Sequence, residues 1–207
     1  ARQKMYQKDF CRNLFIGIAT ILIAYFQKIS PEQLGLRAVD FQHVLNYPIL
    51  WQILIYAVFI WFIFYFFFFV TIGVRLHKRF RPYIIKKVKP VAIAAPISPK
   101  EYMWWTINAF ASIFEELAYR GFVFFFVALL WHDAPIWLLF VLAVLLETIR
   151  YAPRIAAMQY VATRAAVFTL AFVSFNSLYA AIILHVLYNL RIMAVPFHWA
   201  RDAGQRQ

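Results

Sequence analysis

Two short spacings in this 207-residue chain set ionisable groups inside otherwise apolar sequence: Glu115-Glu116-Leu-Ala-Tyr-Arg120 and, further on, His185-Val-Leu-Tyr-Asn189. On a helix, residues four apart share a face, so Glu116 can pair with Arg120, and His185 stands one turn from Asn189. Glu115 is rotated by about 100° from Glu116 and is expected to point elsewhere. One carboxylate would then be held by an arginine while the other is open to chemistry. A desolvated glutamate can take a proton from water, and His and Asn side chains can donate hydrogen bonds to a developing oxyanion. Those parts suffice for peptide hydrolysis. The alternative is structural: the three charges form an ion-pair knot that locks helices together. Desolvation can exceed the attraction in such a knot, and a second carboxylate raises its cost.

Membrane-crossing helices must position these groups. The chain is 64% hydrophobic and only 14% charged, against about 45–50% and about 25% in soluble domains. Tyr47–Val74 contains no charged residue and exceeds the roughly 20 residues needed to cross the hydrocarbon core. Six stretches are expected to span: Asn13–Phe26, Tyr47–Val74, Tyr102–Leu130, Pro135–Thr148, Ala165–Phe175 and Leu178–Val195. The first, fourth and fifth are short and need flanking residues such as Tyr160–Thr163. The predicted fold is all-α, a polytopic transmembrane bundle with both termini on the cytoplasmic side.

Charge placement sets that orientation. The net charge of +12 could suggest nucleic acid, but all but three of the 21 Lys and Arg residues fall in segments placed inside by this topology. These include Arg75 to Lys100, and Arg150, Arg154 and Arg164 in a later loop. The three exceptions are Lys28, Arg37 and Arg120. This is the positive-inside pattern, so the cations report topology and no nucleic-acid partner is expected. Four cations precede the first apolar stretch and no small-residue cleavage site follows it, so that stretch reads as a retained anchor. The single Cys11 carries no disulfide information. The chain divides into a two-span segment over 1–74, a basic connector over 75–101 that can lie against anionic lipid headgroups, a four-helix core over 102–195 and a tail over 196–207.

With Glu115-Glu116-x-x-x-Arg120 in one predicted span and His185-x-x-x-Asn189 in another, the sequence resembles the CPBP family of intramembrane proteases. That family includes the CAAX prenyl-protein endopeptidases and bacteriocin-processing homologues. The resemblance covers roughly Tyr102–Asn189. It implies that Glu115 is the water-activating base, that Glu116 and Arg120 shape the site, and that His185 and Asn189 stabilise the oxyanion. It implies no cofactor and no metal, and the His-Glu-x-x-His zinc pattern is absent.

The resemblance also has a gap. The family's middle motif, Phe-x-x-x-His, shares the water with the glutamate, whereas the corresponding stretch here reads Val144-Leu-Leu-Glu147-Thr-Ile-Arg150-Tyr151-Ala-Pro153. Arg150 or Tyr151 stands about where the histidine would be, and neither is a base at neutral pH. His132, beside Asp133 in a predicted outer loop, reads as solvated. Two readings follow: a divergent membrane-embedded endopeptidase that cuts a peptide or lipidated protein tail, or an inactive relative that serves as a scaffold for a membrane-protein partner. Either would sit among membrane lipids, in a bacterial or archaeal cytoplasmic membrane or a eukaryotic endomembrane. Reporter fusions after Arg81 and after Asp133 are expected to report opposite sides of the membrane; finding both on one side would break the six-span topology.

Overall fold

The computed structural model describes residues 2–64, 96–149 and 155–191; the cations of the connector from Arg75 to Lys89, Arg150, Tyr151, Arg154 and the tail lie outside the described residues. All regular structure among the described residues is helical. Helix α1 runs over Arg2–Phe26, a short α2 over Phe41–Leu45 and α3 over Ile49–Ile63. Helix α4, Pro99–Glu116, continues through a π-helical turn, Leu117–Phe122, into α5, Val123–Leu130. Helices α6, Ile136–Ile149, α7, Ile155–Ser174, and α8, Leu178–Leu190, complete the set.

Local chemistry sets several of these starts. The Asp40 carboxylate accepts the His43 backbone N–H at 3.1 Å and so caps α2. Before α4, the Ser98 hydroxyl accepts from the Glu101 N–H at 3.3 Å while the Glu101 carboxylate accepts from the Ile97 N–H at 2.9 Å, a variant of the capping box. The α7 start differs from the sequence expectation. The helix begins at Ile155, so Arg164 is a helical residue rather than a loop cation.

By length and composition, Gln3–Phe26 is long and apolar enough to cross a membrane, and Ile49–Ile63, Ile136–Ile149, Val161–Ser174 and Leu178–Leu190 are shorter apolar helices. The distribution of side chains says more. Large apolar residues such as Phe15, Leu50, Ile60, Leu129, Trp137 and Ile149 are exposed, whereas Glu115, Glu116, Arg120, Glu147 and His185 are buried. Apolar outside and ionisable inside is the arrangement expected when the surrounding solvent is lipid. The protein is integral to the membrane.

The chain separates into two compact units: Ala1–Arg12, Ala57–Ala111 and Val186–Gln207 form one, and Asn13–Tyr56 and Ser112–His185 form the other. In the first, the Asn108 amide donates to the Tyr6 carbonyl at 2.7 Å, and the Tyr6 ring meets Trp105 edge-on at 5.6 Å. There too the Trp105 indole N–H donates to the Asn189 carbonyl at 2.8 Å.

The second unit is built on close approach. Along α1 the buried positions Asn13, Gly17, Thr20 and Ala24 form one small or polar stripe, and a Cβ at Gly17 would overlap the Phe114 ring of α4. The loop after α1 docks against the turn between α7 and α8. There the Leu178 N–H donates to the Gly35 carbonyl at 2.7 Å, the Asp40 N–H to the Phe175 carbonyl at 3.0 Å, and the Ser177 hydroxyl to the Arg37 carbonyl at 2.6 Å. The same loop presses on the π turn, where a Cβ at Gly121 would stand 2.9 Å from the Leu34 carbonyl oxygen. The oxygen belongs to backbone, so it cannot rotate away. Gly121→Ala is therefore expected to destabilise the protein by about 1–3 kcal/mol through overpacking. A thermal melt in detergent that matches the parent would refute this packing.

Candidate active site

Four elements of the second unit deliver the buried polar groups. Helix α4 brings Glu115 and Glu116, and the π turn brings Arg120. Helix α6 brings Glu147 on the same stripe as buried Leu139 and Ala143, at helical spacing. Helix α7 brings Arg164, Ala165, Phe168 and Thr169, and α8 brings His185. In the π turn the Val123 N–H reaches back five residues to the Ala118 carbonyl, and Leu117, Arg120 and Gly121 are buried together. Such widened turns occur frequently at functional sites.

Arg120 is wholly buried and its guanidinium is surrounded by acceptors. Nη1 meets Glu116 Oε1 at 2.8 Å, Nη2 meets Glu147 Oε2 at 2.6 Å and the Ala165 carbonyl at 3.0 Å, and Nε donates to Thr169 Oγ1 at 3.2 Å. Thr169 in turn donates to the Ala165 carbonyl at 2.8 Å. Glu147 spends its other oxygen on Arg164, with Oε1 2.6 Å from Nη2. Burying these ions is costly, and direct pairing is what makes it tolerable.

His185 joins the network through Glu116. Its Nδ1 lies 2.5 Å from Glu116 Oε1, the same oxygen that accepts from Arg120. Its Nε2 lies 4.0 Å from Glu115 Oε2. A carboxylate accepts, so Nδ1 carries the proton, and in a neutral imidazole Nε2 then presents a lone pair. Phe168 stacks on the imidazole at 4.6 Å between ring centroids, and the Arg120 guanidinium carbon lies 5.8 Å from the same ring. The site thus has an apolar wall beside its charges.

Residues 98–191, somewhat under half of the chain, match the family described as type II CAAX prenyl endopeptidase Rce1-like. This part of the chain is thus similar to the CPBP family, in agreement with the resemblance read from the two motifs. The match takes in every residue of the charge cluster. Comparison with curated proteins and with solved structures found no match.

Within the matched segment, the structure brings Glu115, Glu116, Arg120 and His185 into one buried cluster, and the expected Glu116–Arg120 pair is formed. Asn189 belongs to the first unit. Glu115, 4% exposed, faces the far nitrogen of the imidazole whose near nitrogen Glu116 holds. One expectation changes. Arg164, taken as a cytoplasmic loop cation, is a mostly buried member of the network. Arg150 and Tyr151 lie outside the described residues, and His132 is exposed.

Glu147, Arg164 and Thr169 were missed as site residues. The available signal was a carboxylate inside the apolar run Pro135–Thr148, which is costly unless it faces protein. Removing one partner of a buried ion pair typically costs about 3–5 kcal/mol, so Arg120→Ala is expected to abolish most folded yield. Arg120→Lys should recover only part of it, because one ammonium cannot reproduce a planar fork across two carboxylates. Either variant eluting and melting like the parent would show that the guanidinium does not hold these helices.

Proposed function

We propose that the protein is a membrane-embedded endopeptidase of CPBP type, with six spans and both termini on the cytoplasmic side, which cleaves a peptide or lipidated protein tail with a glutamate-activated water. The observation that carries this reading is the facing pair of acceptors, Glu115 Oε2 and His185 Nε2, 4.0 Å apart in a buried setting. A water between them donates one hydrogen to each and turns a lone pair toward the scissile carbonyl. Glu115 takes the proton as the water oxygen bonds to the carbonyl carbon. The C–N bond then breaks, and the proton passes to the leaving amine.

His185 supplies, from the third motif, the second acceptor that the absent middle-motif histidine would have provided. While neutral it is an acceptor at Nε2, so its role differs from the oxyanion donor that the resemblance implies. Once protonated it becomes a donor, and Glu116 on Nδ1 stabilises that form. For Asn189, which belongs to the other unit, the oxyanion role rests on its motif alone. The substrate is chemically a peptide bond presented near the membrane surface.

The inactive-scaffold reading is favoured by a different observation: Arg120, Glu116, Glu147 and Arg164 pair with one another closely enough to serve as a helix lock alone. Glu115→Gln separates the two readings, since it keeps the shape and removes the base. In proteoliposomes with prenylated and unprenylated peptides, the wild type is expected to cleave, and Glu115→Gln to lose turnover while eluting like the parent. His185→Gln removes the second acceptor of the water and should cost about 100- to 10,000-fold in rate. Cleavage that survives Glu115→Gln would overturn the assigned base, and a wild type inert on all peptides would favour the scaffold.

A further inference from the structure

We infer that Glu147 is a positioning residue for the Glu115–His185 pair: it holds the Arg120 guanidinium so that Glu116 keeps His185 with Nδ1 as donor and Nε2 as acceptor. This rests on the reading of that pair as the reacting groups, but the geometry behind it stands on its own. Both Glu147 oxygens are engaged by guanidinium groups, Oε2 by Arg120 and Oε1 by Arg164, each at 2.6 Å, and the side chain is wholly buried. A carboxylate bridged in this way cannot turn without breaking an ion pair.

Its effect on Arg120 follows from planarity. With Nη2 fixed by Glu147 and the Ala165 carbonyl, and Nε fixed by Thr169, the direction of Nη1 is determined, and Nη1 meets only Oε1 of Glu116. An arginine and a carboxylate left to themselves favour a two-bonded fork that uses both oxygens. Here the fork is not made: among the described residues Glu116 Oε2 is buried with no hydrogen-bond partner, and Oε1 takes both Arg120 and His185. Glu147 draws the second arm of the guanidinium away from Glu116. Without it, Arg120 would close on Glu116 alone and compete with His185 for the carboxylate.

Arg164 makes this diversion possible. A third buried carboxylate beside Glu115 and Glu116 would be repelled, and the Arg164 cation offsets its charge. The two guanidinium groups then balance Glu116 and Glu147, and Glu115 is left opposite His185. Glu147 thereby sets the tautomer of a histidine that it does not touch.

The test uses the full chain in lipid nanodiscs, labelled with 15N-histidine, with His185 assigned by the signals lost in His185→Gln. The wild type is expected to show Nδ1 protonated and Nε2 unprotonated at neutral pH. Glu147→Gln keeps an acceptor for Arg120 but not the charge, so it should mix the two tautomers and lower the kcat for peptide cleavage by about ten-fold or more, with KM within about two-fold. The double variant Glu147→Gln with Arg164→Gln removes one charge of each sign; it should regain folded yield and still show mixed tautomers. A folded single or double variant with the wild-type His185 spectrum would make Glu147 only a counterion for Arg164 and overturn the inference. Should neither variant fold, the wild type decides: Arg120 labelled with 15N should resolve separate Nη1 and Nη2 signals, and a single averaged signal would overturn it. A wild type with these spectra but no peptidase activity would reject the catalytic reading while upholding the role of Glu147.

Discussion

A guanidinium buried among apolar helices is the constraint from which the rest of this unit follows. Arg120 cannot be deprotonated and cannot reach water, so its donors must find acceptors inside the protein. They find Glu116 on α4, Glu147 on α6, and the Ala165 carbonyl and Thr169 hydroxyl on α7. His185 on α8 joins through the Glu116 oxygen that Arg120 already uses. Replacing such a network by apolar residues is often neutral or even stabilising, so its value does not lie in net stability. What it fixes is register: a slide of one helix along another would leave an ion unpaired in a low-dielectric interior. Four helical segments are thus indexed to one side chain.

Tight backbone packing serves the same end. The stripe Asn13, Gly17, Thr20 and Ala24 lets α1 approach α4 beside Glu115, and the loop from Gly35 to Asp40 supplies hydrogen bonds to the turn that starts α8. In lipid there is little hydrophobic drive between apolar helices, so small residues and hydrogen bonds must do the joining. The part of the chain before the family match therefore builds the unit that holds the charges. The close contact of Leu34 with Gly121 also places this loop against the π turn that carries Arg120.

The two motifs were legible in the sequence because ionisable residues inside apolar runs are anomalous, whatever the fold. Helicity and the Glu116–Arg120 pair followed from spacing alone. What spacing could not give is that one side chain serves both carboxylates. Positions 115 and 116 do face different directions, but an imidazole has a nitrogen on each edge, and His185 reaches both carboxylates with one ring. Glu147 and Arg164 were hidden for a different reason. Each lies near the end of an apolar run, where a charge ordinarily snorkels to the interface, and the start of α7 at Ile155 has no strong capping signal. Nothing in composition marks the π turn or the close approach of Leu34 to Gly121.

The balance of charges decides where in this network chemistry can occur. Glu116, Glu147, Arg120 and Arg164 form two anions and two cations, and none can change charge without leaving a buried partner unpaired. Glu115 and His185 face each other across 4.0 Å, a gap too long for a direct hydrogen bond. The same arginine that makes the cluster rigid therefore confines its freedom to one end, and that end is where Glu115 faces Nε2 of His185.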